Sequence, residues 1–227
     1  ELIPVIPVNT LKGMAPASLG LLVAYAMEYD GRRLSDKYDF VPMFLTDETR
    51  VTARAATTSI FMFSNYVWNV EFNLQLSAAV KAINPASITV HGGPSTPSYE
   101  NDCKMFFANN PHVDVAVRGE GELTFADMLD ALDLANSRDL AVLRDIPGLT
   151  YRTADGVCRT ADRERIADVN TIPSPYLMGL FDEFGSVKAG AIIETNRGCP
   201  YGCTFCDWGS ATLSRVRKFD IERVFQE

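Results

Sequence analysis

Over the first half of the chain, apolar residues fall in short uninterrupted runs, separated by stretches with a longer, helical repeat. The runs LIPVIPV (2–8), YDFVPMFLT (38–46), SIFMFSNYV (59–67), SITVHGG (87–93) and VDVAVRG (113–119) are apolar, β-branched or aromatic and end near polar or glycine-containing turns. That pattern predicts five strands. Residues 16–30, 47–56, 70–83 and 98–109 read as the helices between them, and 123–135 as one that follows. Strands this uniformly apolar need cover on both faces, and their alternation with helices makes the sheet mainly parallel. The expected fold class is α/β, with a doubly wound, Rossmann-like parallel sheet over residues 1–135.

The rhythm fails from 136 to 187. IPGLTYRTADGVCRTADRER reads as a small hairpin turning at ADG, and TIPSPYLMG as an extended connector stiffened by proline. This stretch is expected to be a linker with minor structure. GAIIETN (190–196) then predicts a new strand, and DIERVFQE (220–227) a helix capped by Asp220. Residues 188–227 would begin a second domain without completing it, since a β/α barrel takes about 250 residues. No internal repeat or low-complexity segment is present.

The 227 residues are 47% hydrophobic, enough for an ordinary packed core. A formal charge of -8 argues against nucleic acid as the partner. No apolar run reaches the about 18 residues of a membrane span, and the N-terminus lacks a signal-peptide layout. A cytoplasmic protein with no membrane span is expected. Of five cysteines, Cys103 and Cys158 stand apart and three are clustered. An odd, clustered set suggests metal or redox chemistry rather than a disulfide framework.

The cluster lies in NRGCPYGCTFCDWGS (196–210), where Cys199, Cys203 and Cys206 follow the spacing C-x3-C-x2-C. Thiolates so placed suit zinc or an iron-sulfur cluster. A structural zinc site needs a fourth ligand, usually from a second knuckle, and the two histidines, His91 and His112, lie in the first half. Three cysteines on one loop suit three corners of a [4Fe-4S] cube with one iron open. Zinc and a purely redox cluster are the alternatives. Asp207 and Trp208 either shape the site or cap the loop.

In an open parallel sheet, ligands bind beyond the carboxyl ends of the strands. Three turns there merit inspection: FSNYVWN (63–69), with Ser64, Asn65, Tyr66, Trp68 and Asn69; HGGPSTPS (91–98), with paired glycines and Ser95; and RGEGELTF (118–125). Each turn alone is explained by the needs of a tight strand-to-helix connection. His91 reads as a turn residue hydrogen-bonded to backbone, Cys103 as a buried small hydrophobe, and DMLDALD (127–133) as the solvated face of a helix. The basic SRVRK (214–218) faces either solvent or a ligand.

The cysteine loop after a strand, with Gly198 and Pro200 around the first cysteine and Phe205 before the last, resembles the signature of radical S-adenosylmethionine enzymes. The resemblance implies a partial β/α barrel and a [4Fe-4S] cluster held by Cys199, Cys203 and Cys206. S-adenosylmethionine would be chelated at the open iron, with Phe205 beside the adenine, and would be cleaved to a 5'-deoxyadenosyl radical. With the three turns and the PSPYL connector (173–177), residues 1–135 are similar to the cobalamin-binding domain of that family's cobalamin-dependent class. By that similarity Gly92, Gly93, Pro94 and Ser95 line the nucleotide tail, Gly119, Glu120 and Gly121 border it, and Ser64, Tyr66, Trp68 and Asn69 face the corrin. The D-x-H-x-x-G motif is absent, because Thr89 and Asn110 stand two residues before His91 and His112. No histidine ligand to cobalt is implied, which would ease access to Co(I). Either Trp68 or Tyr66 fills the space below the corrin, or both are core residues.

The resemblance implies a methyltransferase acting on an unactivated carbon through methylcobalamin and the radical, with a small-molecule or peptide substrate and an electron donor such as flavodoxin or ferredoxin. The rival readings are a cyclase or ring-contraction enzyme with the same cofactors, a methylthiotransferase, for which Cys103 alone cannot supply the extra cluster, and a non-catalytic cobalamin-binding module.

Overall fold

A computed structural model of the chain describes residues 2–42, 46–182, 184, 190–204 and 215–227. The predicted strands are present in shortened form: β1 (Ile3–Val8), β2 (Tyr38–Phe40), β3 (Ile60–Ser64), β4 (Ile88–Gly92) and β5 (Val115–Val117). They alternate with α1 (Ala17–Glu28), α2 (Glu48–Ala55), α3 (Val70–Ile83), α4 (Glu100–Asn109) and α5 (Gly121–Leu134). The strands shorten because each predicted run includes its turn, whose polar or glycine residues leave the ladder. Residues 43–45 of the second run lie outside the described residues.

The sheet runs β2-β1-β3-β4-β5 in parallel, so the order reverses between β1 and β3. Side chains alternate across a strand, and β3 divides its own between two cores. Ile60 and Met62 pack with Leu19 and Val23 of α1 and Phe125 and Leu129 of α5. Phe61 and Phe63 pack on the other face with Val51 of α2 and Leu76 and Val80 of α3. Burial on both faces is why these strands read as continuous apolar runs.

The hairpin is present, with β6 (Leu149–Thr153) and β7 (Gly156–Arg159) turning at Ala154 and Asp155. It is not a detached piece, because β6 pairs antiparallel with β5 and extends the sheet to seven strands. The buried Arg118 secures this junction: its guanidinium donates to Thr150 Oγ1 at 3.2 Å and to the carbonyls of Thr160 and Ala161 at 2.7 and 3.2 Å. The connector is also anchored. Ile166, Val169 and Ile172 are buried with Leu21 of α1 and Phe219.

The strand expected at 190–196 is mostly absent. Gly190 bridges Met14, with its N–H donating to Gly13 O at 2.7 Å and its carbonyl accepting from Ala15 N at 3.0 Å. The next pairing is β8 (Asn196–Arg197) with β9 (Arg217–Lys218), antiparallel. Between these points, among the described residues, the backbone bond is Thr195 O accepting from Phe219 N at 3.1 Å, beside the β8–β9 pair, and a strand exists only where a ladder partner is supplied. The last helix, α6 (Ile221–Gln226), is capped as expected, the Asp220 carboxylate accepting from Glu222 N at 2.9 Å.

Candidate functional site

The reversal of strand order places the carboxyl ends of β1, β3 and β4 around one crevice. Its floor is a buried polar network. Asn73 of α3 donates through Nδ2 to Ser64 O at 3.1 Å and Asn65 Oδ1 at 2.9 Å, and accepts from Thr10 Oγ1 at 2.9 Å. Asn65 Nδ2 reaches His91 Nδ1 at 3.1 Å and Thr96 Oγ1 at 3.0 Å. Asn69 binds Thr10 and Ser64 O through Nδ2, and its Oδ1 accepts from Tyr66 N at 2.7 Å, which fixes the turn between β3 and α3. Ser64 Oγ lies 3.0 Å from Ser18 Oγ at the start of α1. Such a network holds its members in one geometry because each unpaired group would be costly.

His91 belongs to the floor rather than to a reacting centre. It sits on β4, not in a turn, and its partner is the Asn65 side chain, not backbone. Its ring stacks on Phe63 at 4.7 Å. Burial, with a smaller contribution from nearby His112, pushes its pKa down to about 3, so the imidazole is neutral and accepts no proton at neutral pH.

The two glycine turns border the crevice differently. Gly93 has φ +87°, and a Cβ there would meet Asn65 O at 2.7 Å. Ser95 N donates to Asn65 O at 3.0 Å, so this turn folds back onto the turn after β3. Gly92 is partly exposed, and Pro94 is exposed at the rim. Gly119 (φ +73°) is exposed, and no atom lies within 4 Å of a Cβ built there. Gly121 is glycine for packing, since a Cβ would come within 2.9 Å of Leu22.

Tyr66 and Trp68 stack face to face with centroids 4.8 Å apart and planes within 9°. Trp68 is 68% exposed and Val67 81%, while Tyr66 is half-buried. A core role for Trp68 is therefore excluded. Exposed indole and valine at the rim of a polar crevice form an apolar surface suited to a large flat ligand.

The cysteine loop stands on a charged base. Cys199 is half-buried and Cys203 exposed, and neither forms a disulfide. Cys206, Phe205, Asp207 and Trp208 lie outside the described residues. Gly198, with φ +100°, turns the chain into the loop. Arg197, just before it, donates to Glu122 Oε1 at 2.6 Å and to both Glu194 oxygens. Burial works against its charge, but Glu122 and Glu194 outweigh this and hold its pKa above the usual guanidinium value. Arg217 grips Glu120 with both terminal nitrogens, at 2.9 and 2.5 Å. Burial raises the Glu120 carboxyl, but the bonds from Arg217 and Ile166 N prevail and hold it below the ordinary carboxylate range. The sequence left the basic segment between solvent and ligand; Arg217 instead serves an internal ion pair.

The structure thus brings Ser64, Tyr66, Trp68, Asn69, Gly92, Gly93, Pro94 and Ser95 to one crevice. Glu120 spends its carboxylate on Arg217, leaving Gly119 as the open part of its turn. Sequence reasoning missed Thr10, Ser18, Asn73 and Thr96. Asn69 and Asn73, four apart at the start of a helix, were a usable signal for a polar stripe on its inner face.

No protein-family profile matches the chain. Over 222 residues, 93% of the chain, it is 39% identical to the 2-(S-pantetheinyl)-carbapenam-3-carboxylate methyltransferase of Streptantibioticus cattleyicolor. Over the same share it is 36% identical to the cobalamin-dependent radical SAM methyltransferase TokK of Streptomyces tokunonensis. The chain spans about a third of each, 31% of its length. The cobalamin-dependent S-adenosylmethionine radical enzyme OxsB, solved with aqua-cobalamin and S-adenosylmethionine bound, superposes over 100% of this chain and 31% of its own, with a TM-score of 0.68 at 20% identity. That likeness supports the fold. Together with the C-x3-C-x2-C loop and the glycine turns, the two sequence relatives show that the chain belongs to the cobalamin-dependent radical S-adenosylmethionine enzyme family.

Proposed function

We propose that the chain is the cobalamin-binding domain (1–135), connector (136–187) and first part of the radical S-adenosylmethionine barrel (188–227) of a methyltransferase. The observation that carries this reading is the similarity over 93% of the chain to two methyltransferases. The crevice suits a corrin: Tyr66 and Trp68 offer a stacked apolar surface beside Ser64 and Asn69, while Gly92, Gly93, Pro94 and Ser95, with Gly119, Glu120 and Gly121 on the turn after the neighbouring strand, would line the nucleotide tail. The donor set of Cys199, Cys203 and Cys206 suits three irons of a [4Fe-4S] cluster, which would leave the fourth to S-adenosylmethionine, and by the family resemblance Phe205 would lie beside the adenine. When bound, the corrin supplies methyl-transfer chemistry and the cluster with S-adenosylmethionine supplies hydrogen abstraction.

This chain's own part is placement. Asn69 and Asn73 fix the turn that carries the aromatics, and His91 stays neutral beneath it. Asn9, buried at the end of β1 with its Nδ2 unpartnered, is a further donor at the crevice. The substrate is a small molecule, and electrons come from a carrier such as flavodoxin or ferredoxin. Incubating the reduced intact protein with S-adenosylmethionine and hydroxocobalamin tests the reading. A methyltransferase releases S-adenosylhomocysteine in a cobalamin-dependent way as well as 5'-deoxyadenosine; 5'-deoxyadenosine alone would identify a cyclase-type radical enzyme instead.

A further inference from the structure

Arg197 and Arg217 are register partners across β8 and β9, at the two ends of the cysteine loop. Two like charges directly opposite one another destabilise a strand pair unless something neutralises them. Here the neutralising carboxylates include Glu120 and Glu122, which lie 97 and 75 residues from their partners, on the turn after β5 and the first turn of α5. Arg217 Nη1 also donates to Ile166 O at 2.6 Å, and Ile166 N donates to Glu120 at 2.9 Å, which closes a ring of bonds through the connector. Both side chains of the arginine pair are about nine-tenths buried, and Glu122 is more so. Buried bidentate pairs of this kind fix geometry more than they add stability. Gly119, the open glycine of this turn, is adjacent to Glu120, and Cys199 is two residues from Arg197.

We propose that Arg197 and Arg217, with Glu122 and Glu120, are positioning residues that lock the cysteine loop to the turn after β5, so that cluster assembly and corrin binding strengthen one another. The inference rests on the cofactor reading above. A cluster ligated by Cys199 and Cys203 fixes Arg197, which holds α5 and its preceding turn through Glu122; a corrin tail then meets a turn already in place. Linkage requires the reciprocal effect to be equal.

The test is equilibrium binding of hydroxocobalamin to the intact protein, followed by its visible spectrum and by quenching of tryptophan fluorescence, before and after iron-sulfur reconstitution. In the wild type, reconstitution tightens binding about tenfold, within the usual range of coupling between sites. In Arg217→Gln the gain on reconstitution falls to about twofold or less. Arg217→Lys, which keeps the charge but loses the two-pronged grip, lies between them. A thermal melt as cooperative as that of the wild type shows that the variants are folded. Equal gains in wild type and Arg217→Gln would overturn the lock and leave the cofactor reading intact. Failure of the wild type to bind corrin at all would overturn both.

Discussion

Gly93 carries the sharpest constraint at the scale of a single residue. Its φ of +87° is one that L side chains adopt at a cost, and a Cβ would press on the Asn65 backbone. Gly93→Ala is expected to destabilise the protein by about 2 kcal/mol or more, lowering Tm by about 5 °C in a thermal melt. Gly119→Ala, with a similar φ but open space around it, costs about 1 kcal/mol and acts mainly on hydroxocobalamin affinity. His91 gives a pH prediction. Its folded pKa of about 3 lies below the ordinary 6.5, so the unfolded chain binds the proton more readily. Its contribution is complete above pH 6.5 and is lost as pH falls from there toward 3, by up to about 1.4 kcal/mol per pH unit. His112, also lowered chiefly by burial, adds to the same slope. Denaturant titrations of His91→Phe, which keeps the stack on Phe63, should show a shallower acid slope than the wild type.

Among the elements, α3 was the most legible: both the sequence and the structure place it at 70–83, because a helical repeat bounded by polar residues is local information. The hairpin was legible as a hairpin, from its ADG turn, but not as part of the sheet, since pairing with β5 depends on residues more than thirty positions away. Arg118 is the piece that makes the junction, and burial lowers its pKa while its bonds keep it in place. Arg118→Ala removes three hydrogen bonds and takes the donor from the Thr160 carbonyl, while Ala161 O keeps Gly148 N and Thr150 Oγ1 keeps Cys103 Sγ, and is expected to cost about 1–3 kcal/mol. Hydrogen–deuterium exchange would localise the loss, with amides of β6 and β7 exchanging faster and those of β1 and β3 unchanged. The strand expected at 190–196 failed for the converse reason: its apolar pattern was right, but pattern alone supplies no ladder partner.

For the whole molecule, the cysteine spacing and the strand–helix rhythm were enough to read the family and the doubly wound sheet. The charge lock between Glu120, Glu122, Arg197 and Arg217 was invisible, because ion pairs spanning most of a hundred residues leave no local pattern. The crevice was half legible: its glycines and aromatics lie on turns where ligands bind, while its polar floor is built by Thr10, Asn73 and Thr96 from three separate elements. In the proposed function these features serve as a corrin crevice and an iron-sulfur loop in one chain. The most direct measurement is the metal content and visible spectrum of the intact protein, prepared without oxygen and supplied with iron, sulfide and cobalamin, in wild type and Cys203→Ala. The account predicts one [4Fe-4S] cluster and an equivalent of corrin in the wild type, with iron lost in the variant and corrin still bound, though more weakly. Zinc in place of iron, or iron with no corrin, would contradict it.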